Sequence, residues 1–371
     1  MATQLFPLVA ESGMMASIST GGDSRLGFEF RELNAGKSAG VQALTLVCGD
    51  RSVVVLPTRG MGIWQAHAED VRFGWNSPIA GPVHPRWVPL SEPSGLGWLE
   101  GFDELVVRCG LSSNGAPEFE PNGRLKWPLH GRIANLPVSQ LAVTIDHGTD
   151  RISVTGVVEE SRFHFYRWQL TTTISLQLDS NEIDIVDRVT NLSDRPATFQ
   201  MLYHCNFGTP VLEAGAKLFA PVLKVTPRDA HAAQGISQWN QFLAPDSAFA
   251  EEVYFLDLAA NDRHESLVLL ANANQTLGAT VRYWTPQLPC FTLWKNTVGL
   301  ADGYVAGLEP GTNFPHPRNI EEQEGRVVAV APQQAVEMRL AIGMLVGRDR
   351  VSAAIAEIQA IAPDRPTLVS R

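Results

Sequence analysis

Cysteine is scarce in this chain. The 371 residues include four, Cys48, Cys109, Cys205 and Cys290, far apart and with no CxxC pair. That spacing excludes a disulfide scaffold and a zinc ribbon, and it fits a reducing cytoplasm. Long apolar runs are also missing. No stretch reaches the roughly 18 apolar residues that a membrane helix needs. The opening MATQLFPLVAESGMMASIS has neither a basic n-region nor a sustained apolar h-region, so neither a signal peptide nor a membrane helix is expected. Cations are in the minority, with 29 Lys and Arg against 39 Asp and Glu and a net charge of -10. A phosphate backbone would be repelled over most of such a surface, which argues against nucleic acid as a partner. Nucleotide and hydrolase signatures are absent too: there is no GxxxxGK[ST], no GxGxxG between a strand and a helix, no HExxH and no GxSxG.

What is present is a hydrophobic fraction of 44% and a charged fraction of 18%, enough to bury a large core. Short runs rich in Val, Ile, Thr and aromatics recur between Gly, Pro, Asn and Asp, which predicts an all-β chain. Arg167–Asn191 reads as a hairpin, with alternation broken at DSN. Further strands are expected at Gln42–Val47, Arg51–Leu56, Arg151–Val158, Ala197–His204, Ser266–Leu270, Gly278–Trp284, Phe291–Trp294, Tyr304–Glu309, Arg326–Val330 and Ala335–Met344. About fourteen strands suit two large antiparallel sheets packed as a sandwich better than one small barrel. Residues 73–137, rich in Pro, Gly and Trp, read as long ordered loops that could wall a binding site. Arg348–Ile361 carries helical spacing of Val351, Ile355, Ile358 and Ile361 and predicts a terminal helix on the sandwich edge. No internal repeat or domain boundary stands out, so one domain over 1–371 is expected.

Three segments gather ionisable groups: WPLHGRIANLP, MLYHCNFGTP and GLEPGTNFPHPRN. Alternation with Phe199, Met201 and Tyr203 turns His204 to the opposite face of its strand, at a predicted strand end. Histidine is a natural proton donor near neutral pH, although hydrogen bonding to a turn is an equally ordinary use. Glu309 precedes Pro310 and Gly311, which should stop its strand and leave the carboxylate at a rigid end. It could be a general base, or a rim residue capping loop amides. His130 and Arg132 would share a side on an extended chain and could grip hydroxyls, or could serve only structural bonds. A metal site from His130, His204, His316 and Glu309 has no recognisable ligand spacing, and no metal is expected. Nine tryptophans are many for this length, and one or two could stack on a sugar while most are core.

The order of an HG motif, a strand-end His and a late Glu on a GLE strand resembles the aldose 1-epimerases, the galactose mutarotase family. The carrying segments are LPTRGMGIW, WLEGFDELVVRCGL, LHGRIANLP, YHCNFG and LEPGTNFPHPRN. The resemblance implies a galactose mutarotase-like β-supersandwich and mutarotase activity on a monosaccharide without a cofactor. In that family a histidine donates a proton to the ring oxygen, matched by His204. A glutamate takes the proton of the anomeric hydroxyl, matched by Glu309, and an HG histidine binds hydroxyls, matched by His130. Arg132 is the favoured replacement for the family's arginine, with Arg124 and Arg108 as alternatives. Arg59, Asn206, Trp294, Lys295 and Asn313 complete the expected substrate contacts. The family's hydroxyl-binding aspartate has no match in FLAPDSAFAEEVYF. A sugar phosphate would need basic loop residues, for which Arg86, Arg124 and Arg318 are the candidates. Two other readings stand beside this one. One is a carbohydrate-binding module without catalysis. The other is a different sugar isomerase, epimerase or lyase using Tyr203, His204 or Lys295 as base. Exposed sheet edges would suit a homodimer.

Overall fold

The computed structural model describes residues 3–10, 13–14, 25–362 and 367–368. Among these residues the chain forms a sheet of ten strands, a sheet of thirteen and a small two-stranded ribbon. Nearly all pairing in the two large sheets is antiparallel, as expected from alternating runs joined by short turns. The anticipated hairpin is present, with Tyr166–Gln177 paired to Glu182–Asn191 and Trp168 opposite Asn191.

The two sheets bury one face each against the other. On the strand Ala197–Phe207 the residues Phe199, Met201, Tyr203, Cys205 and Phe207 enter this core. From the ten-stranded sheet come Leu170, Ile174, Ile185, Leu340 and Ile342. Period-two alternation therefore leaves Leu202, His204 and Asn206 on the other face of the thirteen-stranded sheet. Over that face the 73–137 segment folds back, bringing Trp75, Trp98 and Phe102 against Val107, Cys109, Leu202 and Val305 in a separate apolar cluster.

The helix Arg348–Ile361 forms as expected, with Gly347 before it at φ 103°. Its buried residues Val351, Ala354 and Ile358 pack on Leu267, Leu269 and Ala271. The helix thus covers the outer face of the ten-stranded sheet near one end, because an apolar stripe needs a surface and a strand edge offers only a rim. Among the described residues no helix is long and apolar enough to cross a membrane.

Candidate active site

His204 sits inside its strand, three residues before the end, and pairs in register with Val107 of the neighbouring strand Val106–Leu111. The strand end expected at this histidine is displaced because Cys205 and Phe207 still have core positions to fill. Its ring is fixed from behind. Nδ1 lies 2.7 Å from Oδ1 of Asn206, whose Nδ2 donates to the carbonyls of Glu104 and His204. With the amide nitrogen committed to two acceptors, Oδ1 must accept, so Nδ1 carries the hydrogen and Nε2 faces the cavity as a lone pair. Burial holds the imidazole down to about 4, only partly countered by the Asn206 bond.

Glu309 also lies inside its strand, Val305–Gly311, which continues through Pro310. Leu202 stands opposite Gly311 and Cys205 opposite Leu308, a register that sets His204 directly across from Glu309. No ladder pair forms at Pro310 on that side, as expected for a residue without an N–H. Such cross-strand neighbours share one face. Nε2 of His204 and Oε1 of Glu309 are 3.1 Å apart. The approach is out of line, however, and Oε1 is buried with no hydrogen-bond partner. Burial first, and then Glu251, push the carboxyl well above its usual range. Gly307 makes this pair possible: a Cβ there would lie 2.5 Å from Oε1 of Glu309 and 3.0 Å from Cε1 of His204.

His130 reaches the same place from a loop. Its φ is +54° and that of Gly131 is +72°, so the segment is not extended. Gly110 donates to the His130 carbonyl, and His130 and Arg132 donate to Gly115 and Gly110. A side chain at Gly131 would strike the carbonyls of Ser113 and Gly110. The left-handed turn sends His130 to the cavity, with its ring centroid 5.5 Å from that of His204. Arg132 and His130 therefore do not point together. Arg132 lies near Glu160 instead, outside the cavity lining.

The cavity, of about 640 Å³, is walled by Trp75, Trp98, Phe102, Leu129 and Trp294 and floored by His204, Glu309 and Thr292. Ring centroids of Phe102 and Trp294 stand 5.1 and 5.3 Å from that of His204. At the mouth Arg228 pairs with Glu251 at 2.9 Å, and Nε1 of Trp294 donates to Glu251 at 2.8 Å. Thr292 Oγ1 and Trp98 Nε1 are buried without partners.

Four expected residues thus meet here: His204, Glu309, His130 and Trp294. Asn206 stands behind His204, and Asn313 two bonds behind His130 through Asn114. Arg59 and Lys295 do not line the cavity. Arg59 is buried on Glu104, Asn135 and two carbonyls, and Lys295 on Glu252 and the Gln238 carbonyl. Lys295 neighbours Trp294 on a strand, so alternation alone turns it to the opposite face. Arg86 and Arg318 are spent on carbonyls and Glu322, and Arg124 is also outside the lining. Sequence reasoning missed Arg228, Glu251, Thr292 and Asp302. Thr292 could have been found, because it shares the strand face of Trp294. Glu251 comes from the segment in which no aspartate could be matched. Among the described residues no group of three or more His, Cys, Asp or Glu is disposed to hold a metal, and His316 pairs with Glu321.

A family described as a domain of unknown function, DUF4432, matches residues 38–344. The chain belongs to the DUF4432 family. It is similar to a putative aldose 1-epimerase from Klebsiella pneumoniae, at 32% identity and TM-score 0.95 over 100% of this chain and 99% of that one. More distant structures share the galactose mutarotase-like fold. A galactose mutarotase-like protein from Clostridium acetobutylicum has 12% identity and TM-score 0.58, over 87% of this chain and 99% of the other. Galactose 1-epimerase from Lactobacillus acidophilus has 14% identity and TM-score 0.56, with the same coverage. No curated protein matches. For this DUF4432 member the fold expected from its motifs is therefore the fold it has.

Proposed function

We propose that this DUF4432 protein is a mutarotase that interconverts the α and β anomers of a monosaccharide. The observation that carries the reading is the His204–Glu309 pair, 3.1 Å apart at the floor of a sugar-sized, aromatic-walled cavity. Burial depresses the imidazole and raises the carboxyl, so each group disfavours its charged form and a proton can pass between the two. One proton shared by two sites is what ring opening needs. With that proton on His204 Nε2, the Glu309 carboxylate takes the hydrogen of O1, and the O1 electrons form the C1=O1 bond. The C1–O5 bond breaks toward O5, which receives the proton from His204. Rotation about C1–C2 and the reverse transfers close the ring on its other face, so no proton or electron is gained or lost. The low dielectric strengthens both transfers, and the aromatic walls suit the apolar C–H faces of a sugar ring. His130 would orient hydroxyls.

Anomer exchange measured by saturation-transfer NMR across a panel of aldoses tests this reading. Acceleration of at least one sugar, lost in His204→Ala, is expected. Binding of a sugar with no accelerated exchange would make the protein a binding module, and a product changed at another carbon would make it a different isomerase or a lyase.

A further inference from the structure

Resting on the mutarotase reading, the register of the sheet identifies a further residue. The strands Ala197–Phe207, Val305–Gly311 and Cys290–Asn296 are consecutive neighbours. His204 stands across from Glu309, and Glu309 is paired in register with Thr292. The three side chains therefore form a row across one face of the sheet, one per strand at the ~4.8 Å strand spacing. Thr292 is 1% exposed and lines the cavity, yet its Oγ1 has no hydrogen-bond partner. A buried hydroxyl left unbonded costs stability, so it needs a compensating use.

The chemistry of an aldose ring supplies that use. Around the anomeric carbon the oxygens run in the order O5, O1, O2, and the proposed acid and base already face O5 and O1. The third member of the row is then placed for the third oxygen. We propose that Thr292 receives the 2-hydroxyl of the sugar, and so selects aldoses that carry an oxygen next to the anomeric centre. The hydroxyl can both donate and accept, which leaves Glu309 free for the proton of O1.

The test uses the full chain, wild type and Thr292→Val, with D-galactose and D-glucose and their 2-deoxy counterparts. Exchange rates are read by NMR, affinity by calorimetry and stability by thermal unfolding. The expected result is a roughly 5- to 100-fold loss of kcat/KM in Thr292→Val for the 2-hydroxy sugars and no loss for the 2-deoxy sugars. Tm should be unchanged or raised, because a methyl replaces an unbonded hydroxyl. Equal losses on both kinds of sugar, or a fall in Tm with uniformly weaker activity, would make Thr292 a structural residue and overturn the proposal while leaving the mutarotase reading intact. A wild-type protein that accelerates no anomer exchange overturns that reading and this one together.

Discussion

Tyr203 and His204 are adjacent on one strand, and each belongs to a buried set of ionisable partners on opposite faces of the same sheet. Toward the core, Tyr203 donates to Asp187, whose carboxylate also takes two bonds from Arg108 at 2.5 and 3.0 Å. Arg108 bonds the Met61 carbonyl and Thr172 as well. Toward the cavity, His204 and Glu309 approach to 3.1 Å and leave a carboxyl oxygen unbonded. Both sets are fully buried. The difference lies in saturation: a charge that spends its bonding capacity inside the protein holds the fold, and one left unsaturated beside a cavity is available to a ligand. Arg59 falls on the saturated side, with four bonds to Glu104, Val83, Gly101 and Asn135.

This contrast can be broken by substitution. On the cavity side, His204→Ala and Glu309→Gln should each lower anomer exchange by about 10²–10⁴-fold. Circular dichroism should be unchanged, and near wild-type exchange would remove the residue from the mechanism. On the core side, Asp187→Asn or Arg108→Ala should cost about 3–5 kcal/mol in urea unfolding, since the remaining charge is stranded. A cost comparable to that of Glu309→Gln would erase the distinction. Gly307→Ala should displace the carboxyl and the imidazole and reduce exchange by up to about 10²-fold with a small stability change. Unaltered exchange would show that the pair tolerates the extra methyl.

The smallest expected effect is in stability against pH. The folded His204 titrates near 4, against about 6.5 when unfolded. Between these values the unfolded chain binds more protons, so stability falls as pH drops from about 6.5 toward 4. His204→Ala should flatten part of that slope, and His130, also held well below its usual value by burial, accounts for another part. An unchanged slope in His204→Ala would place the histidine's folded value near its ordinary one. Exchange itself should fall below about pH 4, where His204 takes up a proton and Glu309, raised by burial, offers no free carboxylate.

Much of the fold was legible because alternation is local. Strands at Arg51–Leu56 and Ala335–Val346 follow from their own residues, and so does the helix Arg348–Ile361. Strand ends were less legible, since Pro310 reads as a terminator until a neighbouring strand is seen to need no N–H there. The candidate site was half legible. His204 follows from alternation plus motif, whereas Arg132 was expected beside His130 on the assumption of an extended chain that the positive φ of His130 and Gly131 removes.

The sequence by itself determined the class of fold, the faces of the strands and the identity of the ionisable residues, because these depend on period and composition. Only the tertiary structure decided which of them remain unsaturated. Arg59, Arg108 and Lys295 look as available in the sequence as His204 and Glu309, but their carboxylate partners lie 43 to 79 residues away and consume them. The pairing of Thr292 with Glu309 and the clearance at Gly307 arise from register between strands that no local pattern specifies.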